Sequence, residues 1–89
     1  MEPLITKVQN ILRASFSGAE LDLEETVPGE RIGGSCTWTG FLGMEQIDRQ
    51  HMLWKVLRKS LTPREQSQLG LILTFTPPEV AAMEEALAA

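Results

Sequence analysis

Leu4, Ile5, Val8, Ile11, Leu12 and Phe16 recur at the three- and four-residue spacing of one helix face, with Pro3 suited to a first turn. Ser17-Gly18 closes that segment. In "AELDLEET", Leu21 and Leu23 alternate with Glu20, Asp22 and Glu24, which predicts a strand with one dry face and one acidic wet face. "VPGERIGG" interrupts the pattern with Pro28, Gly29, Gly33 and Gly34, and "SCTWTGF" then reads as a second strand completing a hairpin. Asp48 is the expected cap of a second helix with an apolar face of Met52, Leu53, Val56, Leu57 and Leu61. His51, Lys55, Arg58 and Lys59 fall on its wet face. Thr62-Pro63 stops it, and Pro63 before "REQ" suits one more short turn. "LGLILTFT" reads as a well-covered third strand, and Pro78 opens a final helix through "EVAAMEEALAA". The order α-β-β-α-β-α predicts an α+β two-layer domain. A right-handed crossover would place strand three parallel to strand two if the two are neighbours.

Length adds that 1–89 forms a single domain, since either half would be too small to bury a useful core. The net charge of −4 disfavours a general polyphosphate binder, but its distribution is uneven. Residues 1–47 and 65–89 each sum to −4, whereas 48–64 sum to +4 through Arg49, Lys55, Arg58, Lys59 and Arg64 against Asp48. The second helix is thus the one basic segment of an acidic chain. A lone Cys36 rules out an intramolecular disulfide and favours a reducing compartment. No apolar run approaches the roughly 20 residues of a membrane span, and the acidic start is unlike a targeting signal, so a cytoplasmic location without membrane contact is expected.

Candidate chemistry is sparse. His51 is the only histidine and has no Cys or carboxylate at i+4 to chelate with, so it reads as an exposed helix residue, a partner contact or a metal ligand held in reserve. Cys36 alternates with Trp38 on one strand face, which suits a buried pair; its alternative is a thiolate ligand, requiring exposure and a depressed pKa. Arg49, Lys55, Arg58, Lys59 and Arg64 form a basic stripe suited to phosphates, to an acidic protein or simply to solvent. Asp48 and His51 lack a serine that would complete a triad, and the glycines at 29, 33 and 34 lack a phosphate-loop pattern. No enzyme and no catalytic residue is predicted.

"FLGMEQIDRQHMLW" and "LILTFTPPE", in this element order, resemble the BolA-like protein family, including its YrbA-like branch. The landmarks are Phe41 and Gly43 before the long helix, Arg49 in the basic-histidine motif, Met52-Leu53-Trp54, Thr74-Phe75-Thr76 and Pro78-Glu79. The resemblance implies a class II K-homology-like fold with a small three-stranded mixed sheet. It further implies a non-enzymatic interaction protein of stress response and iron-sulfur homeostasis, with a monothiol glutaredoxin as partner and no intrinsic cofactor, a [2Fe-2S] cluster being shared with the glutaredoxin in some family members. Partner-binding residues would be Arg49, His51, Lys55 and Arg58, with His51 and Cys36 as reserve metal ligands. Two family histidine positions carry Gln50 and Gln68 here, and His51 falls one residue after the first. An amide is a poor replacement for an imidazole at iron. The alternatives are a nucleic-acid-binding transcriptional regulator using Arg49, Lys55, Arg58, Lys59 and Arg64, or a diverged homodimer without a cluster. A nucleic-acid reading lacks the GXXG loop of K-homology modules, since "RIGG" lies in the predicted hairpin.

Overall fold

Helix α1 (Glu2–Ser15) buries Leu4, Ile5, Val8 and Leu12, the face expected from their spacing, and ends as the Phe16 N–H returns to the Leu12 carbonyl. A computed structural model describes residues 1–88. Gly18, with φ of +81°, permits the turn into β1 (Glu20–Val27). Strands β2 (Arg31–Thr37) and β3 (Leu69–Phe75) complete a sheet in the order β1-β2-β3. Between them come a 3-10 turn (Thr39–Phe41), α2 (Gln46–Ser60) and the short α3 (Pro63–Ser67); α4 (Pro77–Ala88) follows β3. The predicted last helix also included Ala89, which lies outside the described residues.

β1 and β2 pair antiparallel, whereas β2 and β3 run parallel, as a crossover through α2 requires. Leu21 opposes Cys36, which opposes Thr74; Leu23 opposes Gly34, which opposes Ile72. Side chains of paired residues share a face, so these rows line the inner side of the sheet. Val8, Leu12, Ile32, Cys36, Leu53, Leu57 and Ile72 are buried together there, under α1 and α2. Phe16, Trp38 and Phe41 stack at one end of this core, with centroid separations of 4.8, 5.6 and 5.2 Å. The Trp38 indole N–H finds the Ser17 carbonyl at 2.9 Å. The aromatic corner therefore fixes the end of α1 against the end of β2.

Three local readings are corrected. Gly33 and Gly34 belong to β2 rather than to the turn, which contracts to the residues between Val27 and Arg31. Gly34 has φ of +148°, and a Cβ there would overlap the Asp22 carbonyl of β1, so this strand needs glycine to make the close approach. The second strand stops at Thr37 because the chain tightens into the 3-10 turn. Helix α2 starts at Gln46 after Glu45, not at an Asp48 cap; Asp48 instead sits in the first turn, where its charge suits the helix dipole.

Candidate functional site

The N-terminal turns of α2 lie against the outer edge of β3. The Phe75 carbonyl accepts from Trp38 N–H on the β2 side, so the carbonyls of Ile72 and Thr74 face outward. An open strand edge is a template for unwanted pairing unless covered. The Gln46 amide donates to the Thr74 carbonyl at 2.9 Å, and the Gln50 amide donates to the Ile72 carbonyl at 2.8 Å. The buried Thr74 hydroxyl joins them, donating to Gln46 Oε1 at 2.7 Å and accepting from Gln50 Nε2 at 3.3 Å. Gln50 is thereby committed to the strand edge.

Arg49 lies one turn before Leu53 and two before Leu57, and like them it is buried, at 6% exposure. Its placement on an exposed recognition stripe is therefore corrected. Its Nε donates to the Met44 carbonyl at 2.9 Å, and its Nη1 reaches Glu79 Oε1 at 2.6 Å. The same carboxylate oxygen accepts from the Thr76 N–H at 2.7 Å and the Thr76 hydroxyl at 2.9 Å, while the Glu79 N–H donates to that hydroxyl at 3.4 Å. This is a reciprocal cap at the start of α4, with Pro77 and Pro78 in its first turn. The Arg49 guanidinium, followed by the two Thr76 donors, holds the Glu79 carboxyl down at about 2. Arg49 thus fastens α4 to α2.

The remaining basic residues stay exposed: His51, Lys55, Arg58 and Lys59 along α2, and Arg64 on α3. Their surroundings differ. Arg58 leans over Trp54, with its guanidinium carbon 6.0 Å from the ring centroid, beside His51 on the side of α2 away from α1. Lys55 and Lys59 instead rim a groove shared with α1. Lys7 of α1 pairs with Glu65 of α3 at 2.9 Å, and the Thr62 N–H, followed by this bridge, holds the Glu65 carboxyl below its ordinary range.

Cys36 is fully buried, and burial pushes its thiol up to about 11, opposite to the shift a thiolate ligand needs. His51 is exposed on α2, so the structure does not bring the two reserve ligands together at the surface. Gln68 closes α3, with its carbonyl accepting from the Ile32 N–H at 2.9 Å. Among the described residues, no group of three or more His, Cys, Asp or Glu side chains is arranged to hold a metal ion.

On the outer face of the sheet, Glu20 shares a row with Thr37 and Phe75, and Asp22 with Ser35 and Leu73. Leu71 and Leu73 are 68% and 43% exposed there. An acidic β1 and an apolar β3 therefore flank a β2 of small side chains. The expectation of a well-covered third strand holds for only one of its faces.

The inward Arg49 was detectable from its i, i+4, i+8 alignment with Leu53 and Leu57. Gln46 and Gln50 gave no such signal, because sequence cannot tell an edge carbonyl from one already paired across a sheet.

No family model and no curated protein matches the chain. Its fold does match solved structures. BolA1 from Arabidopsis thaliana superposes with a TM-score of 0.71 at 21% identity, over 85% of this chain and 94% of that one. The BolA domain of SufE1 from Arabidopsis thaliana gives 0.65 at 18% identity, over 83% and 92%. The chain therefore has the BolA-like α+β fold.

Proposed function

We propose that this chain is a non-enzymatic BolA-like interaction protein in iron-sulfur or redox regulation, one that docks a monothiol glutaredoxin through α2 and the neighbouring β3. The carrying observation is the exposed His51–Trp54–Arg58 patch on the one basic segment of an acidic chain. A planar arginine over a partly exposed tryptophan offers both apolar area and a charge that favours an acidic partner surface. Leu71 and Leu73 add apolar contact area at β3, whose edge carbonyls at Ile72 and Thr74 are already occupied by Gln46 and Gln50. Docking would accordingly use side chains rather than strand addition.

The donor set does not fit a cluster held by this chain. His51 is its single imidazole, Cys36 is a buried neutral thiol, and Gln50 and Gln68 supply amides. In this reading the chain is diverged from the family's histidine pattern, and His51 is its one accessible side chain able to touch the edge of a partner's cluster. Arg49 supports the surface from behind by holding the start of α2 to α4.

The test mixes the protein with a monothiol glutaredoxin carrying an anaerobically reconstituted [2Fe-2S] cluster, and follows complex formation and visible circular dichroism. Arg58→Glu is expected to weaken the complex roughly tenfold or more, as loss of an interface anchor does. His51→Ala is expected to change the cluster spectrum only if that histidine touches the cluster. Absence of any complex, or a complex indifferent to Arg58→Glu, sinks this interface.

The same exposed cations favour a second reading, a nucleic-acid-binding regulator using Lys55, Arg58, Lys59 and Arg64 without the buried Arg49. Its mark would be duplex affinity that falls steeply with salt and is weakened by removing any one of the four.

A further inference from the structure

The outer face of the sheet, away from α1 and α2, carries three rows of unlike chemistry in one register. Glu20, Asp22 and Glu24 stand exposed along β1. Gly33, Ser35 and Thr37 follow on β2, and Leu71, Leu73 and Phe75 on β3. Leu71 is the most exposed large apolar side chain of the sheet, and Leu73 comes next. Arg31, at the hairpin end of β2, is the only basic residue in the three strands. Among the described residues, none of the three outward carboxylates of β1 has an ion-pair partner.

Neighbouring strands lie about 4.8 Å apart, so the acids and the leucines are separated by roughly 10 Å across a floor of small side chains. That width suits a single α-helix, whose diameter with side chains is about 10–12 Å. Outward acids on β1 repeat about every 6.7 Å, close to the roughly 6 Å between residues four apart on a helix. An extended segment matches that repeat as well, but laid over a sheet face its backbone groups would lack partners, whereas a helix satisfies its own. Helix α4 closes one end of this trough. Its Val80, Ala81 and Glu84 line a cleft with Glu20 and Thr37, which brings a fourth carboxylate to that end. The other end, at Asp22, Glu24, Leu71 and Leu73, is exposed.

We propose that this outer face docks a basic amphipathic helix of a partner protein, lying along β2 with its apolar flank on Leu71 and Leu73 and its lysines or arginines on Glu20, Asp22 and Glu24. Seating one face of an amphipathic helix in a complementary groove is a recurrent recognition mode. Charge selects the occupant. A second copy laid face to face would set carboxylates against carboxylates, and nucleic acid or an anionic membrane would meet the same repulsion. A purely apolar helix would leave the acid row unmatched. The surface meets the glutaredoxin reading only at Leu71 and Leu73, away from Trp54 and Arg58, and does not rest on it.

Fluorescence anisotropy with the 89-residue protein and no glutaredoxin tests this. The probe is a designed Ala-based helical peptide of about 18 residues, long enough to hold its helix, with Leu along one flank and Lys along the next. Saturable binding is expected, with amide chemical-shift changes centred on Asp22, Ser35 and Leu73 rather than on α2. A peptide of the same composition with its lysines scattered around the helix should bind roughly tenfold more weakly. Asp22→Lys with Glu24→Lys should weaken the ordered peptide by about tenfold or more, and Leu71→Ser with Leu73→Ser likewise. All four positions are exposed, so the circular dichroism spectrum should not change. A peptide with Glu in place of Lys should bind the Asp22→Lys, Glu24→Lys protein better than it binds wild type. Absence of saturable binding at low salt overturns the proposal, as do shift changes confined to α1 and α2. Equal binding of the ordered and scattered peptides overturns it too, since a diffuse attraction to an acidic protein would then suffice.

Discussion

Thr74→Val separates the strand-edge brace from ordinary packing. The side chain is 1% exposed, and valine nearly matches threonine in volume, so little cavity forms. What disappears is one hydroxyl with two hydrogen bonds, at 2.7 Å to Gln46 and at 3.3 Å from Gln50. A typical intramolecular hydrogen bond contributes about 0.5–1.5 kcal/mol net, and the longer of these belongs at the low end. Gln46 Oε1 loses its protein donor, but Gln46 is exposed and water replaces it, while both amide N–H groups keep the Thr74 and Ile72 carbonyls. The full penalty of a buried orphan is therefore avoided, and the expected loss is about 1–2 kcal/mol. For a chain of this length that lowers Tm by roughly 4–8 °C per kcal/mol. Urea unfolding should show a lower midpoint with an unchanged slope. Combined with Gln46→Ala, the two losses should be sub-additive by about 0.5 kcal/mol or more, because they share a bond. A loss below ~0.5 kcal/mol with strictly additive behaviour would show that the brace contributes nothing beyond shape.

Three further outcomes are expected. Glu79 has a folded pKa of about 2 against an ordinary 4.5, so its stabilising contribution is complete above the ordinary value and fades as pH falls from about 4.5 toward about 2. Acid titration of wild type and Glu79→Gln should show their stability difference vanishing across that window; a difference that persists below it contradicts the assignment. Cys36 should resist thiol reagents at mildly alkaline pH until denaturant is added, and labelling at the rate of a free thiol in the native protein would disprove its burial. Gly34→Ala should cost at least ~2 kcal/mol through strain and overlap with the Asp22 carbonyl, whereas Gly29→Ala, which meets no atoms, should cost only the roughly 1–2 kcal/mol of its left-handed backbone. Comparable losses at the two glycines, measured by urea unfolding, would remove the case for close approach of β1 and β2.

Periodicity made the helices and strands legible wherever one face is dry: Leu4 to Phe16, Leu21 with Leu23, and Leu53 with Leu57. The parallel pairing of β2 and β3 followed from connection length and handedness. Glycine misled at 33 and 34, because the same residue serves a turn and a strand that must approach its neighbour closely. Charge misled at Arg49, where alignment with the apolar face outweighed the habit of placing arginine in water. The strand-edge role of Gln46 and Gln50 was invisible, since a glutamine reports neither which carbonyl it meets nor whether that carbonyl needs it. In α4, high helix propensity announced the helix but not its lack of burial.

The parallel junction of β2 and β3 also sets an order of events during folding. Glu25 and Ile32 meet across a short turn, whereas Cys36 and Thr74 meet only after the whole of α2 and α3 has been gathered between them. Closing the longer loop costs more chain entropy, and such distant contacts slow folding. Moreover, the edge carbonyls of Ile72 and Thr74 find their partners on α2, so β3 gains its full set of bonds only once that helix has docked. Pulse-labelled amide exchange during refolding should accordingly protect the β1–β2 hairpin before β3, with α4, anchored through Glu79 at the end of β3, the last element to come to rest.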